Sequence, residues 1–156
     1  MSIKELMVAA IEHGTVIDHI QAGQAMNIVK ILSLQPKNRS VLIGLNLPSV
    51  KLGVKDLIKV ESDDWHLTKK ETSRIAVLAP QATVTLIKDY EPIEKYSVEM
   101  PPALEDIADC PNKQCITNHE PMATFFFVRP FAKKIELECR YCRKCFSHNQ
   151  IKSYRV

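Results

Sequence analysis

From the N-terminus, the first sustained apolar pattern is Thr15 to Ile20, which predicts a strand kinked at Gly14. Ala22, Ala25, Met26 and Val29 then recur at i, i+3, i+4 and i+7. That spacing predicts a helix, and Pro36-Lys37-Asn38 brings it to an end. Ser40 to Leu47 is a short continuous apolar run closed by Pro48-Ser49 and predicts a strand; Lys55 to Val60 predicts another. Thr68 with Glu71 three residues on has the form of a capping box, so a second helix should open there and run through Ala79 to the break at Pro80. Thr83 to Ile87 is β-branched and strand-like. The resulting order, β-α-β-β-α-β, is that of the ferredoxin-like split βαβ unit, an α+β arrangement with both helices on one face of an antiparallel sheet.

The next stretch, Glu91 to Glu105, holds Pro92, Pro101 and Pro102 and has no clear period, which predicts a linker. Beyond it, Ala123 to Phe131 and Ile135 to Cys139 read as strands alternating with cysteine pairs. The chain therefore divides into residues 1–100 and residues 101–156, the second a small antiparallel β domain. There is no internal repeat or low-complexity tract.

With 46% hydrophobic and 25% charged residues, the chain has the composition of a soluble globular protein. No stretch approaches the roughly 20 apolar residues that a membrane helix needs, and Glu5 interrupts the N-terminus where a signal peptide would build its apolar run. A cytoplasmic protein without membrane contact is expected. The net charge of +3 is unevenly placed: residues 1–100 hold 12 Lys/Arg against 12 Asp/Glu, and residues 101–156 hold 9 against 6. The excess lies beside the cysteines, where a Zn²⁺ with four thiolates would carry about −2. Compensation of that charge, rather than nucleic-acid binding, is the expected role.

All five cysteines fall between Cys110 and Cys145. In a reducing compartment paired cysteines are more often metal ligands than disulfides. Cys110 and Cys115 form a C-x4-C pair and Cys139 and Cys142 a C-x2-C pair, 23 residues apart. Two such knuckles complete the tetrahedron that Zn²⁺ favours and leave no open position, so the metal would be structural. Free thiols, a disulfide and a rubredoxin-like iron site are the alternatives, and Cys145 is either a spare thiol or a substitute ligand.

Catalytic motifs are missing. None of the four glycines falls in a dinucleotide-binding or Walker arrangement. Asp18 and His19 are neighbours on a strand, which should send their side chains to opposite faces. His13, His66, His119 and His148 have no carboxylate or nucleophile at a telling spacing and read as surface or packing residues.

Several blocks nonetheless carry a resemblance: Gly14-Thr-Val-Ile-Asp-His-Ile20, Ile43-Gly-Leu-Asn-Leu-Pro-Ser49, Lys55-Asp-Leu-Ile-Lys59, Ala79-Pro-Gln-Ala-Thr-Val84, Cys110-Pro-Asn with Cys115, Cys139-x-x-Cys142 and Phe146-Ser-His-Asn149. Together, and in this order, they resemble the regulatory chain of aspartate carbamoyltransferase nearly end to end. The resemblance implies a non-catalytic chain. Its N-terminal allosteric domain would bind CTP or ATP in control of pyrimidine biosynthesis and pair with a second copy. Its C-terminal zinc domain would dock on the catalytic chains and so link catalytic trimers.

Carried onto this sequence, the resemblance puts Ala10, Ile11, Val16, Asp18 and His19 around base and ribose. Lys59, Tyr90 and Lys95 complete the site, with Lys55 and Lys95 near phosphate. Asn112, Gln114 and Lys144 would face the catalytic chain. Ala9 stands where familiar members have a glutamate, and Pro92 where they have an aliphatic residue. From the residues themselves, Lys55 and Lys59 share one face of their strand, and Val41 to Leu45 would be an apolar edge strand that a second copy could cover. The competing class is a zinc-ribbon adaptor for nucleic acid or protein, using Arg140, Tyr141, Arg143 and Lys144 at the second knuckle.

Overall fold

The computed structural model describes residues 8–34, 39–131, 134–147 and 150–155. Pro36-Lys37-Asn38 and His148-Asn149 lie outside the described residues. The chain forms two compact units, Met1–Val98 and Glu99–Val156. No helix among the described residues is long and apolar enough to cross a membrane.

The first unit is one antiparallel sheet in the order β2-β3-β1-β4-β5, with two helices that pack on each other. β1 is Gly14–Gln21, α1 Ala25–Ile31, β2 Ser40–Ser49, β3 Gly53–Glu61, α2 Lys69–Leu78, β4 Thr83–Lys88 and β5 Glu91–Ser97. This is the expected α+β arrangement. Ile17, Ile20, Ile28, Ile58, Ile75 and Val84 form its core and are almost wholly buried. Ile17 and Ile20 are three apart and would face opposite sides of a regular strand. The register shift between them, where His19 takes φ 55°, turns both inward. Gly14 closes in on β3: with φ 151°, an added Cβ would stand 2.0 Å from the Val60 carbonyl oxygen.

Three expectations change. The stripe predicted for α1 holds at Ala25 and Val29, which are buried with Ile28 and Ile31, but not at Ala22, which lies in the preceding turn, or at Met26, which is 47% exposed. β2 does not close at Pro48-Ser49 but runs through them, as an edge strand tolerates a missing N–H. The predicted linker contains β5, whose residues are nearly all exposed and so show no apolar alternation. The β4–β5 turn has φ 51° at Asp89 and 65° at Tyr90, the geometry of a type I′ hairpin made without glycine. The predicted cap of α2 is present: Glu71 N–H donates to Thr68 Oγ1 at 3.2 Å, and Thr68 N–H to the Glu71 carboxylate at 2.8 Å.

The second unit is a four-stranded antiparallel sheet, β6 Ala103–Glu105, β7 Phe125–Phe131, β8 Lys134–Cys139 and β9 Cys145–Ser147, in chain order. Its core is small, with Leu104, Ile107, Phe126, Leu137 and Ile151 as the main buried apolar residues. Its C-terminal segment is tied back by Arg155, which donates to Asp109 and Asp106 at 2.7 Å each and to the Met122 carbonyl at 2.8 Å. The Arg155 hydrogen bond outweighs burial and, with the Ser153 hydroxyl, holds the Asp109 carboxyl below its usual range.

Candidate functional site

Cys110 and Cys115 flank a turn in which Cys115 N–H donates to the Asn112 carbonyl at 2.9 Å. The second knuckle closes where Arg143 N–H donates to the Cys139 carbonyl at 2.9 Å. Arg143 has φ 63°, so an arginine occupies the left-handed position that a glycine would favour. The two turns bring four sulfurs within 4.8 Å of one another. Cys110 to Cys142 and Cys115 to Cys139 are each 3.8 Å. A tetrahedron with metal–sulfur bonds of about 2.3 Å has edges of about 3.8 Å, whereas a disulfide needs about 2.05 Å. The cluster therefore fits a tetrahedral zinc ion and excludes a disulfide.

Burial pushes the Cys110 and Cys139 thiols up. Burial opposes ionisation at Cys115 as well, but the hydroxyl and N–H of Thr117 bring that thiol down to about 7. A divalent cation supplies the charge that four such thiolates need. Cys145 is exposed at the start of β9 and stands outside the four.

In the first unit, residues paired across antiparallel strands point to the same side, and the register lays out a row. Leu42, Lys59, Val16, Thr85 and Lys95 follow one another across five strands on the face opposite the buried Asp56, Ile58 and Val60. Lys59 and Lys95 stand three strand spacings apart, about 14 Å. Asp18 lies on the same face, next to Thr83 and Ser97 in register. Lys55 pairs with Asp18 at 2.8 Å. Burial alone would raise the Asp18 carboxyl; the Lys55 ammonium and the His19 N–H, 2.6 Å away, outweigh it and hold the group below its usual range.

The Asp18 and His19 side chains do not bond each other. His19 instead places Nδ1 3.0 Å from the Thr83 hydroxyl. Burial lowers its pKa; Asp18 opposes this, and the charges of Lys55, Lys51 and Lys95 add to the lowering.

Lys59 donates to the carbonyls of Val8 and Ala9, at 3.2 and 2.8 Å, and so ties the N-terminal segment to this face. That segment also crosses Gly44, where an added Cβ would come within 3.2 Å of Val8. Ala10 is exposed and Ile11 buried. Tyr90 is 61% exposed, and its N–H donates to the Glu12 carbonyl at 3.0 Å. Tyr90 thus sits at the end of the sheet away from Lys55, beside the segment that carries Ala10 and Ile11. Thr83, Thr85 and Lys51 are additions that the sequence reading missed. Period-2 counting from Val16 across a known register would have found the threonines, but that register is not local.

On the second unit Gln114 and Lys144 are exposed, and Asn112 is half-buried, its Oδ1 accepting Gln114 N–H at 3.2 Å. Ile116 and Tyr141, 54% and 41% exposed, belong to the same two knuckles. Arg140 stacks on Phe125 and Arg143 pairs with Glu138, so two of the cations that an adaptor reading needs are already engaged. Glu12, His13 and Asp89 form a second group of metal-capable side chains. There Asp89 N–H donates to His13 Nδ1, which leaves Nε2 as the proton carrier facing the two carboxylates.

Two family models match in tandem. The allosteric domain of the aspartate carbamoyltransferase regulatory chain covers residues 6–99, and the metal binding domain of the same chain covers residues 102–152. The chain belongs to the aspartate carbamoyltransferase regulatory chain family. Its relatives include regulatory chains from Proteus mirabilis, 42% identical over 94% of this chain and 95% of the relative, and from Pyrococcus abyssi, 43% identical over 94% and 96%. The regulatory chain of Tolumonas auensis is 43% identical over 92% of both. Membership makes this a regulatory, non-catalytic chain, and the four-sulfur cluster lies in the family's metal binding domain.

Proposed function

We propose that this chain is the regulatory subunit of an aspartate carbamoyltransferase. It binds CTP and ATP at one site in residues 1–100 and docks on catalytic chains through residues 101–156, linking catalytic trimers and controlling pyrimidine biosynthesis. The observation that carries the nucleotide reading is the row of Lys59, Val16, Thr85 and Lys95 on a sheet face without helices, with Asp18 and Lys55 beside it. A nucleotide presents a flat apolar base and a polyanionic tail, and a site for it needs apolar walls with a few placed polar groups. Ala10, Ile11 and Val16 supply the wall beside Tyr90, and the ionised Asp18 can accept from ribose hydroxyls. Lys95 and Lys55 lie toward the phosphates, with His19 between them. Lys59 holds the N-terminal segment as the rim of the site.

One Zn²⁺ is held by Cys110, Cys115, Cys139 and Cys142, with no position left for substrate. It shapes the knuckles that carry Asn112, Gln114 and Lys144, and Ile116 and Tyr141 extend the docking surface. A site of four reduced cysteines suits a cytoplasmic chain, since thiols stay reduced in that compartment. β2 is an edge strand, and Ile43 and Leu45 on it are 37% and 50% exposed. Such edges are normally covered, and a second copy of the chain covers this one in a homodimer.

Titration calorimetry with CTP and ATP on Lys95→Ala tests the site. Both nucleotides should lose about 1.5 kcal/mol, the low end for a charge-assisted contact because Lys95 is exposed. Unchanged affinity for both would put the nucleotide somewhere else.

A further inference from the structure

The two cysteine knuckles are tethered differently. The second grows straight out of β8 at Cys139 and feeds β9 from Cys145, so sheet hydrogen bonds secure it on both sides. The first has no such frame. Ile107 to Asp109, which lead into Cys110, lie outside the named strands, and after Cys115 only the 3₁₀ turn Ile116–Asn118 comes before β7. Within the knuckle Asn118 Nδ2 donates to the carbonyls of Cys110 and Asn112, at 3.0 and 2.7 Å. Those bonds shape the turn without anchoring it.

The anchor is the C-terminal segment. Asp109 N–H donates to the Ser153 carbonyl at 2.9 Å and Arg155 N–H to the Ile107 carbonyl at 2.7 Å, with Ala108 and Tyr154 paired between them. Side chains repeat the tether, since the Ser153 hydroxyl and Arg155 Nε each take one oxygen of the Asp109 carboxylate, at 2.8 and 2.7 Å. Arg155 also donates to Asp106 and to the Met122 carbonyl. One guanidinium therefore grips the chain both before Cys110 and after Cys115. A planar fork can serve three acceptors at once where an ammonium on a flexible stem holds fewer. The grip is also largely out of solvent, with the Arg155 side chain 26% exposed.

We propose that the C-terminal segment is a strap on the first knuckle, and that Arg155 is the positioning residue that keeps Cys110 and Cys115 in place so that zinc leaves slowly. This rests on the four-cysteine zinc reading above. A metal held by four thiolates can escape only when one ligand arm swings away, and the arm without a sheet frame is the one that the strap restrains.

Zinc transfer from the intact chain to a chromophoric chelator, followed beside hydrogen exchange, tests this in the native sequence, Arg155→Ala, Arg155→Lys and Lys152→Ala. Lys152 is exposed on the same segment and serves as the control. Residues that orient metal ligands typically change metal retention by about 10–100-fold. Arg155→Ala should accordingly release zinc at least about tenfold faster while β7 and β8 keep their protection. Arg155→Lys keeps the charge but loses the fork, so release should still rise by about threefold or more. Lys152→Ala should keep the native rate. Unchanged release in Arg155→Ala, equal acceleration in Lys152→Ala, or acceleration that comes with lost β7 and β8 protection in both Arg155 variants overturns the strap and leaves the zinc site standing. If the native chain holds no zinc, the four-cysteine reading falls with it.

Discussion

Replacing Cys139 with serine is expected to unfold residues 99–156 and to leave the first unit folded. Cys139 is fully buried at the end of β8, paired with Phe126, and its sulfur is 3.8 Å from that of Cys115. It also anchors the second knuckle, since its N–H donates to the Lys144 carbonyl at 3.0 Å. A unit this small buries too little apolar surface for comfortable stability without a staple. Structural zinc contributes about 10–16 kcal/mol in zinc-finger peptides, more than the core around Phe126 and Leu137 can replace. Metal analysis and hydrogen exchange on the variant give the answer. Zinc should fall well below one equivalent, with protection lost in β6 to β9 and kept in β1 to β5. Full protection in the second unit without bound zinc would show that the metal does not hold that unit together.

Asp56→Ala should cost the first unit about 3–5 kcal/mol, although the residue touches no expected ligand. Its carboxylate is fully buried and accepts three backbone N–H groups: Gly23 at 2.9 Å, Ala25 at 3.2 Å and Asn46 at 3.0 Å. One side chain thus closes the turn into α1 and pins the β2 bulge, where Asn46 has φ 55°. Truncation orphans all three donors, each worth about 1–3 kcal/mol when left unpaired, with some relief if water enters. Asp56→Asn keeps one acceptor oxygen and should cost less. Urea denaturation measures both, and a loss below about 1 kcal/mol for Asp56→Ala would mean that those donors find other partners.

Signals within a few residues were legible in the sequence. The Thr68–Glu71 cap and the two cysteine pairs are local chemistry, and both appear in the structure as read. The order of elements was legible as well, because most core strands carry apolar runs. What depends on distant pairing was not. β5 is exposed along its length and holds Pro92, so neither burial nor propensity announces it. α1 has only seven residues, too short for the periodicity to fix its phase, and Ala22 and Met26 were taken for its buried side. Asp56 looks like one more polar residue between Lys55 and Leu57, and its role needs the two bulges that surround it. The candidate face likewise draws on residues of five strands, which sequence spacing cannot align. Spacing alone places only Lys55 and Lys59 together, on one strand; the other candidates rest on the family resemblance.

The central claim is that the zinc unit attaches a nucleotide-sensing subunit to catalytic chains that do the chemistry alone. Mercurial treatment of the enzyme purified from its native host, followed by activity assays and sedimentation, tests it most directly, because the reagent captures the four thiolates and expels the metal. Coupling of this kind requires unequal nucleotide binding to two states of the assembly, typically about 1–3 kcal/mol, and it cannot survive separation of the subunits. The treated enzyme should separate into active catalytic trimers that ignore CTP and ATP and regulatory chains that sediment as pairs. If the particle stays whole and nucleotide-sensitive after demonstrable zinc loss, the docking role of residues 101–156 is wrong.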